Sequence, residues 1–343
     1  MRNKISTLIV AMAIFGLTAD LPVFAQEFFK GKTLKIIVGF AAGGGFDTYS
    51  RTLARHLGRH IPGNPTIVVE NMTGAGGLIS ANYVYKIAKP DGLTLGNLQV
   101  GPLIVAQILK RSGVEYDARR FEYVGVVVKD NPVCAFTRRS GITSMEKWIA
   151  SKTPVKIGGI APGSVVYDHI RILQTALGLP IQLVSGYKGT AEIRLAAEGG
   201  EVAGGCWTWE SIKATWRRAI ESGDAVVVLQ LLPKPLRDLP GIPLAIDFAK
   251  TDEARQLIQS GIHDISNMIF AYGFPPGTPK ELVQVLRRSF SDTMHDRDFL
   301  ADAKKSNLNI DPMTGEELEK TAAGFFQLNP SLVAKLREVL GAQ

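Results

Sequence analysis

Residues 35–47 read Lys-Ile-Ile-Val-Gly-Phe-Ala-Ala-Gly-Gly-Gly-Phe-Asp. The apolar run Lys35 to Gly39 has the length and β-branched content of a buried strand. Ala41 to Phe46 follows as a glycine-rich loop. From Asp47 to Ile61, Tyr49, Leu53, Leu57 and Ile61 recur at every fourth position, the spacing of one helix face. Strand, glycine loop and helix in that order open an α/β unit built on a mostly parallel sheet.

The unit recurs outward from this stretch. Thr66 to Glu70 reads as a second strand, followed by a glycine loop at 73–77 and a helix from Leu78 to Ala88. Pro90-Asp91-Gly92 is a turn, and Thr94 to Leu98 is a third strand. Tyr123 to Lys129 and Val133 to Thr137 read as one long strand broken at Asn131-Pro132, which marks a domain crossing. The pattern then restarts. Val155 to Ile160 is a strand, Ala161-Pro162-Gly163-Ser164 a tight loop, and Val165 to Leu177 a helix stopped by Gly178. Ile181 to Ser185 leads through Gly186-Tyr187-Lys188-Gly189 to a helix beginning at Thr190. Capping boxes are expected at Thr143–Glu146, Thr278–Glu281 and Thr314–Glu317, and Asn329-Pro330 opens a last helix. The expected class is therefore α/β with two lobes. Residues 26–128 plus about 245–343 form the first, and about 129–244 form the second.

Composition agrees with that division. The chain has 343 residues, enough for about two domains, and its 45% hydrophobic content excludes a disordered protein. The formal net charge is +7, but the basic residues are scattered in pairs such as Arg119-Arg120, so nucleic acid is not an expected partner. Two cysteines, Cys134 and Cys206, cannot build a disulfide-dense scaffold or a four-cysteine zinc site. Both fall in the second lobe, and their pairing is open. At the N-terminus, Arg2 and Lys4 precede an apolar run from Ile5 to Leu17, and Val23-Phe24-Ala25 supplies small residues at a cleavage site. Residues 1–25 thus read as a secretory signal cut after Ala25, too short to span a membrane. The mature protein is expected outside the cytoplasm, in a bacterium in the periplasm.

Three glycine loops carry the chemistry. Ala42, Gly43, Gly44, Gly45, Phe46 and Asp47 form the first. Ala161, Pro162, Gly163 and Ser164 form the second, and Tyr187, Gly189 and Thr190 belong to the third. Each puts the first turn of a helix just beyond the carboxyl end of a strand. The unpaired N–H groups and the helix dipole there attract an anion without any charged side chain. A single such loop is adequately explained as a tight turn; three facing one another make a binding cleft. Asp47 and Thr190 read first as helix N-caps, and Tyr187 as either cleft wall or core. Trp207 and Trp209 alternate about Thr208 as on one face of a strand, and Trp207 either packs in the core or lines the cleft. Gly74-Ala75-Gly76-Gly77-Leu78-Ile79 lacks the third glycine of a dinucleotide fingerprint, and neither a phosphate-binding loop nor a nucleophile elbow occurs. His56 and His60 flank Leu-Gly-Arg rather than a zinc-protease sequence, and His169 beside Asp168 reads as a surface or hydrogen-bonded histidine. No catalytic residue, metal or cofactor is expected.

At this point the blocks resemble a known family. Phe40 to Asp47 followed by Arg51, Val69 to Gly76, Pro90 to Leu95, Gly186 to Thr190 with Gly199 to Val202, and Pro275 to Pro279 are similar, in order, to blocks of the tripartite tricarboxylate transporter receptors, also called Bordetella uptake gene proteins. The resemblance implies a two-lobed type II periplasmic binding fold, a monomer that captures a small organic carboxylate between its lobes and delivers it to the membrane subunits of a tripartite transporter. It carries the loops around Gly43 to Asp47, Pro162 to Ser164 and Tyr187 to Thr190 over as ligand-binding. Phe46 stands where the family more often has threonine, and Ala203 where an acidic residue is common. A bulky Phe46 with Trp207 opposite implies a pocket for an aromatic or larger acid rather than citrate. The rival readings are an exported α/β enzyme such as a hydrolase, and a ligand-presenting subunit of a sensor kinase.

Overall fold

The computed structural model describes residues 28–327 and 329–341. The expected signal segment and the expected cut after Ala25 lie outside them. Along the chain come β1 (Thr33–Val38), helix α1 (Gly45–Leu57), β2 (Thr66–Asn71), β3 (Thr94–Leu98) and β4 (Glu122–Val126). After a crossing come β5 (Pro132–Thr137), β6 (Val155–Gly158), α2 (Val165–Leu177), β7 (Ile181–Val184), α3 (Thr190–Gly199), β8 (Gly204–Thr208), α4 (Trp209–Thr215) and β9 (Ala225–Gln230). The chain then returns to add β10 (Ala271–Phe274) and β11 (Met313–Thr314).

These strands form two separate sheets. The first has the order β11-β4-β10-β3-β1-β2 and the second β7-β6-β8-β5-β9. β1 runs parallel to β2 and β3, and β6 runs parallel to β7 and β8. The βα connections therefore all deliver their helix N-termini to the carboxyl ends of the strands. β10 enters the first sheet antiparallel between β3 and β4, and β5 enters the second antiparallel between β8 and β9. Apolar residues such as Leu34, Ile36 and Val38 on β1 and Leu53 and Leu57 on α1 are fully buried, as the four-residue spacing requires.

The two sheets are joined by a pair of crossing segments that run beside each other. Val127 N–H donates to Phe270 O at 3.1 Å, and Asp130 N–H donates to Ser266 O at 2.9 Å. Tyr123–Lys129 and Val133–Thr137 are consequently not one strand: β4 and β5 belong to different sheets on either side of this crossing. Past residue 245 the helix Asp252–Ile258 packs on α2, and the last helix, Pro330–Leu340, packs on both. The chain rejoins the first sheet at Ala271.

Several local expectations shift by a residue or more. The helix near 145 is capped by the Ser144 hydroxyl, not Thr143, and Thr278 binds back to Pro275 O while Pro279 occupies the cap position. The box at Thr314–Glu317 is present with both reciprocal bonds, and Asn329 caps the last helix with Pro330 at its start. The helix expected from Leu78 to Ala88 ends as α-helix at Asn82 and continues as a wider π turn, Tyr83–Ile87. Trp209 begins α4 rather than sharing a strand face with Trp207. Among the described residues, no helix is long and apolar enough to cross a membrane.

Cys134 and Cys206 form a disulfide. They are direct partners in the antiparallel β5–β8 register, with Cα atoms 4.0 Å apart, and both are fully buried. The bond belongs to an oxidising compartment and closes a loop of 72 residues. The double variant Cys134→Ala/Cys206→Ala should lose about 2–4 kcal/mol of stability, measured by urea unfolding; an unchanged midpoint contradicts this.

Candidate functional site

The N-termini of α1, α2 and α3 meet between the two sheets. None carries a side-chain cap: the cap positions are Gly44, Ser164 and Gly189, and the Ser164 hydroxyl is turned back onto Ala161 O at 2.8 Å. Leading N–H groups of each helix thus point toward the interlobe gap without an intrahelical acceptor. The lobes touch closely here. Ala41 N–H donates to Lys188 O at 3.1 Å. A Cβ on Gly45 would stand 2.6 Å from Ser211 Oγ, and one on Gly76, where φ is +65°, 2.9 Å from Ser164 N. Any side chain at these two glycines would hold the lobes apart.

The gap encloses a narrow cavity of about 20 Å³, room for about one water molecule. Gly45, Phe46, Asp130, Val165, Thr190, Trp207, Thr208, Ser211 and Phe270 are among the residues that line it. Its apolar side is an aromatic column in which Phe46 stacks between Phe40 and Phe270, at 4.6 and 4.5 Å. Trp207 stacks on Trp216 at 5.7 Å. The polar groups are uncommitted. Among the described residues, Thr190 Oγ1, Ser211 Oγ, Trp207 Nε1 and Asp130 Oδ1 are buried with no hydrogen-bond partner, and no cationic side chain lines the cavity.

The expected residues divide by role. Gly45, Phe46, Thr190 and Trp207 line the cavity. Thr190 is not the N-cap but the first helical residue, which frees its hydroxyl for the gap. Gly43 and Gly44 form the wall facing α3, and Ala42 is exposed. Asp47 is not a cap either. It accepts from Gly43 N–H at 2.9 Å, from Arg51 and from Asn71, so it braces the first loop from behind. Although burial opposes it, these donors hold its carboxyl below the ordinary range. Tyr187 donates to Glu201 at 2.6 Å at the outer edge.

Ala161, Pro162 and Gly163 line a second, outer cavity of about 390 Å³, shared with Arg111, Arg171 and Arg337. There Arg111 of the first lobe pairs with buried Asp168 of α2 at 3.2 Å, and Asp168 also accepts from Gly163 N–H. The three helix ends converge on the inner cavity and not on this outer one. His169 is not a surface residue. It is fully buried, neither ring nitrogen has a partner among the described residues, and burial lowers its pKa to about 3, so it stays neutral. His56 and His60 bind Asp302 and Asp296 at 2.9 and 3.0 Å.

Asp130 was not legible as a site residue. It lies on the hinge, and its place in the cavity follows from the pairing of 127–130 with 266–270. It is 3% exposed. Burial pushes its carboxyl up to about 7, with neighbouring Glu210 adding to the rise and the Thr208 hydroxyl opposing it. Glu210 is fully buried but satisfied, accepting from Thr208 at 2.7 Å and from Asn131 and Asn309 at 3.0 Å.

Comparison with known proteins settles the class. The model of the tripartite tricarboxylate transporter family receptor matches residues 50–325. The chain belongs to that family. It is a carboxylate-type solute receptor and not an enzyme, which removes the hydrolase reading. The protein in the gbd 5′ region of Cupriavidus necator is 25% identical to the receptor over 331 residues, covering 95% of this chain and 94% of its own. BugT of Bordetella pertussis is 25% identical, over 86% of each. Among solved structures, the periplasmic binding protein BugD superposes with a TM-score of 0.73 at 24% identity, covering 91% of this chain and 98% of its own. MatC of Rhodopseudomonas palustris, solved with malate, gives 0.68 at 20% identity over 90% and 99%. A second R. palustris protein, solved with adipate, gives 0.68 at 20% over 90% and 97%. The two-lobed periplasmic binding fold expected from the sequence is thereby shown.

The raised Asp130 predicts the direction of a pH effect. Its folded-state value of about 7 lies above the unfolded value of about 4. The folded state holds the proton more tightly, so stability falls as pH rises from about 4 through about 7. Asp130→Asn should therefore stabilise the ligand-free protein at pH 8, by on the order of 1–3 kcal/mol, and much less at pH 4. Parallel urea titrations at the two pH values measure it; a variant less stable than the parent at pH 8 contradicts the assignment.

Proposed function

We propose that the receptor holds the carboxylate of a small organic acid against the N-termini of α1, α2 and α3. The observation that carries this reading is the convergence of three helix ends without side-chain caps on one buried, uncommitted polar cavity. Such ends stabilise a negative charge through N–H groups and dipole together. The malate and adipate bound by its structural neighbours are acids of this class. Because the cavity is too small for any such acid, the lobes must part to admit one, and the hinge at 127–131 and 266–270 is where they turn. A ligand touching both lobes favours the closed arrangement. The exported chain, cut after Ala25 and acting as a monomer in the periplasm, would hand the acid to the membrane subunits of a tripartite transporter. Phe46 and Trp207 would give the pocket an aromatic side suited to a larger acid than citrate.

Gly44 offers the test. Its backbone is extended, with φ of −87°, so its conformation does not require glycine, but an added Cβ would stand 3.1 Å from Thr190 Oγ1 across the gap. An acid that binds the mature protein should raise its melting midpoint by mass action. Gly44→Leu should abolish that rise while leaving the ligand-free midpoint within a few degrees. A full ligand-induced shift in the variant would refute the first-loop assignment.

A further inference from the structure

The inner cavity contains one group that a simple carboxylate cannot satisfy once that group is ionised. The helix N-termini and Trp207 Nε1 offer protons, and the hydroxyls of Thr190 and Ser211 can give or take one. Asp130 Oδ1 is different: ionised, it is an acceptor only; 3% of the residue is exposed, and the atom has no hydrogen-bond partner among the described residues. Glu210 is near enough to add to the negative field at Asp130, but it lies outside the cavity lining and its own oxygens are engaged by Thr208, Asn131 and Asn309. No Lys, Arg or His lines the cavity among the described residues. Buried carboxylates without a cation or donor are strongly disfavoured. A ligand bearing only carboxylates would add negative charge beside them.

We propose that the ligand is an amino acid-type zwitterion, whose carboxylate meets the three helix N-termini and whose ammonium is held by Asp130. This deepens the receptor reading above and rests on it. The cavity is then electrostatically two-sided, with N–H groups and positive helix ends on the loop side and the Asp130 carboxyl on the other. The charge-assisted bond to Asp130 supplies what neither the loops nor the aromatic column can. Phe46, Phe270 and Trp207 lie where the ammonium-bearing carbon and the apolar part of the side chain would pack, and aromatic faces suit a nearby cation. Asp130 is thus a specificity-determining residue that selects on the group next to the carboxylate.

The test is calorimetric titration of the mature protein with three amino acids, phenylalanine, leucine and glutamate. Each is compared with its N-acetyl and 2-hydroxy counterparts, and with malate and adipate as unaminated acids. At least one amino acid should bind, with its N-acetyl and hydroxy counterparts weaker by roughly a hundredfold. Asp130→Asn should weaken that amino acid by roughly ten- to hundredfold while leaving the hydroxy acid nearly unchanged. The comparison among ligands on the unaltered protein decides the matter even if the variant does not fold. If malate, adipate or a hydroxy acid binds more tightly than every amino acid, and Asp130→Asn does not weaken it, the zwitterion assignment is overturned and the receptor reading stands. If no acid of any kind binds, both fall.

Discussion

Three helices end on one point with their leading N–H groups unpaired, and most of the structure around them follows from that arrangement. A helix end buried without a cap is costly unless an acceptor or solvent reaches it. Here α1 comes from one lobe and α2 and α3 from the other, so the ends are reconciled only between the lobes. Parallel β1–β3 and β6–β8 are what aim the helices at the same place. The glycines at 45 and 76 let the opposing backbones approach, and Asp47, clamped by Arg51, Asn71 and Gly43 N–H, keeps the first loop in shape without entering the cavity.

The same arrangement would let an anion bind without a lining cation. Basic side chains lie elsewhere among the described residues, some of them in ion pairs such as Arg51–Asp47 and Arg287–Glu316, or around the outer cavity where Arg111 bridges the lobes to Asp168. Dipoles and N–H groups hold an anion with less fixed charge than a guanidinium, which suits a receptor that must also release its ligand. The buried carboxyl at Asp130 makes the cavity asymmetric, and it lies on the segment that crosses between the two sheets.

Much of the fold was legible because its units are local. The strand at Thr94–Leu98 and the helix at Val165–Leu177 have the bounds that periodicity and flanking glycines indicate. Gly45, Phe46, Thr190 and Trp207 were accessible to sequence reasoning because a glycine loop before a helix announces an exposed helix end. What failed were features decided by distant partners. The alternation Trp207-Thr208-Trp209 matches a strand, yet the sheet stops at Thr208 and Trp209 turns into α4. Asp130 sits in an unremarkable Lys-Asp-Asn-Pro loop, and it is buried only because a segment more than a hundred residues later pairs with it. Ser211 is brought to the gap by α4 packing against α1, which no local pattern announces.

The most direct measurement is an amide chemical-shift map of the isotope-labelled mature protein, with and without a saturating acid that raises its melting point. The account predicts the largest downfield movements at the leading amides of the three helices, Gly45 and Phe46, Val165 and Val166, and Thr190 and Ala191, together with the Trp207 indole N–H. Unmoved resonances there, with the perturbation confined to the outer cavity around Arg111, Arg171 and Arg337, would contradict it.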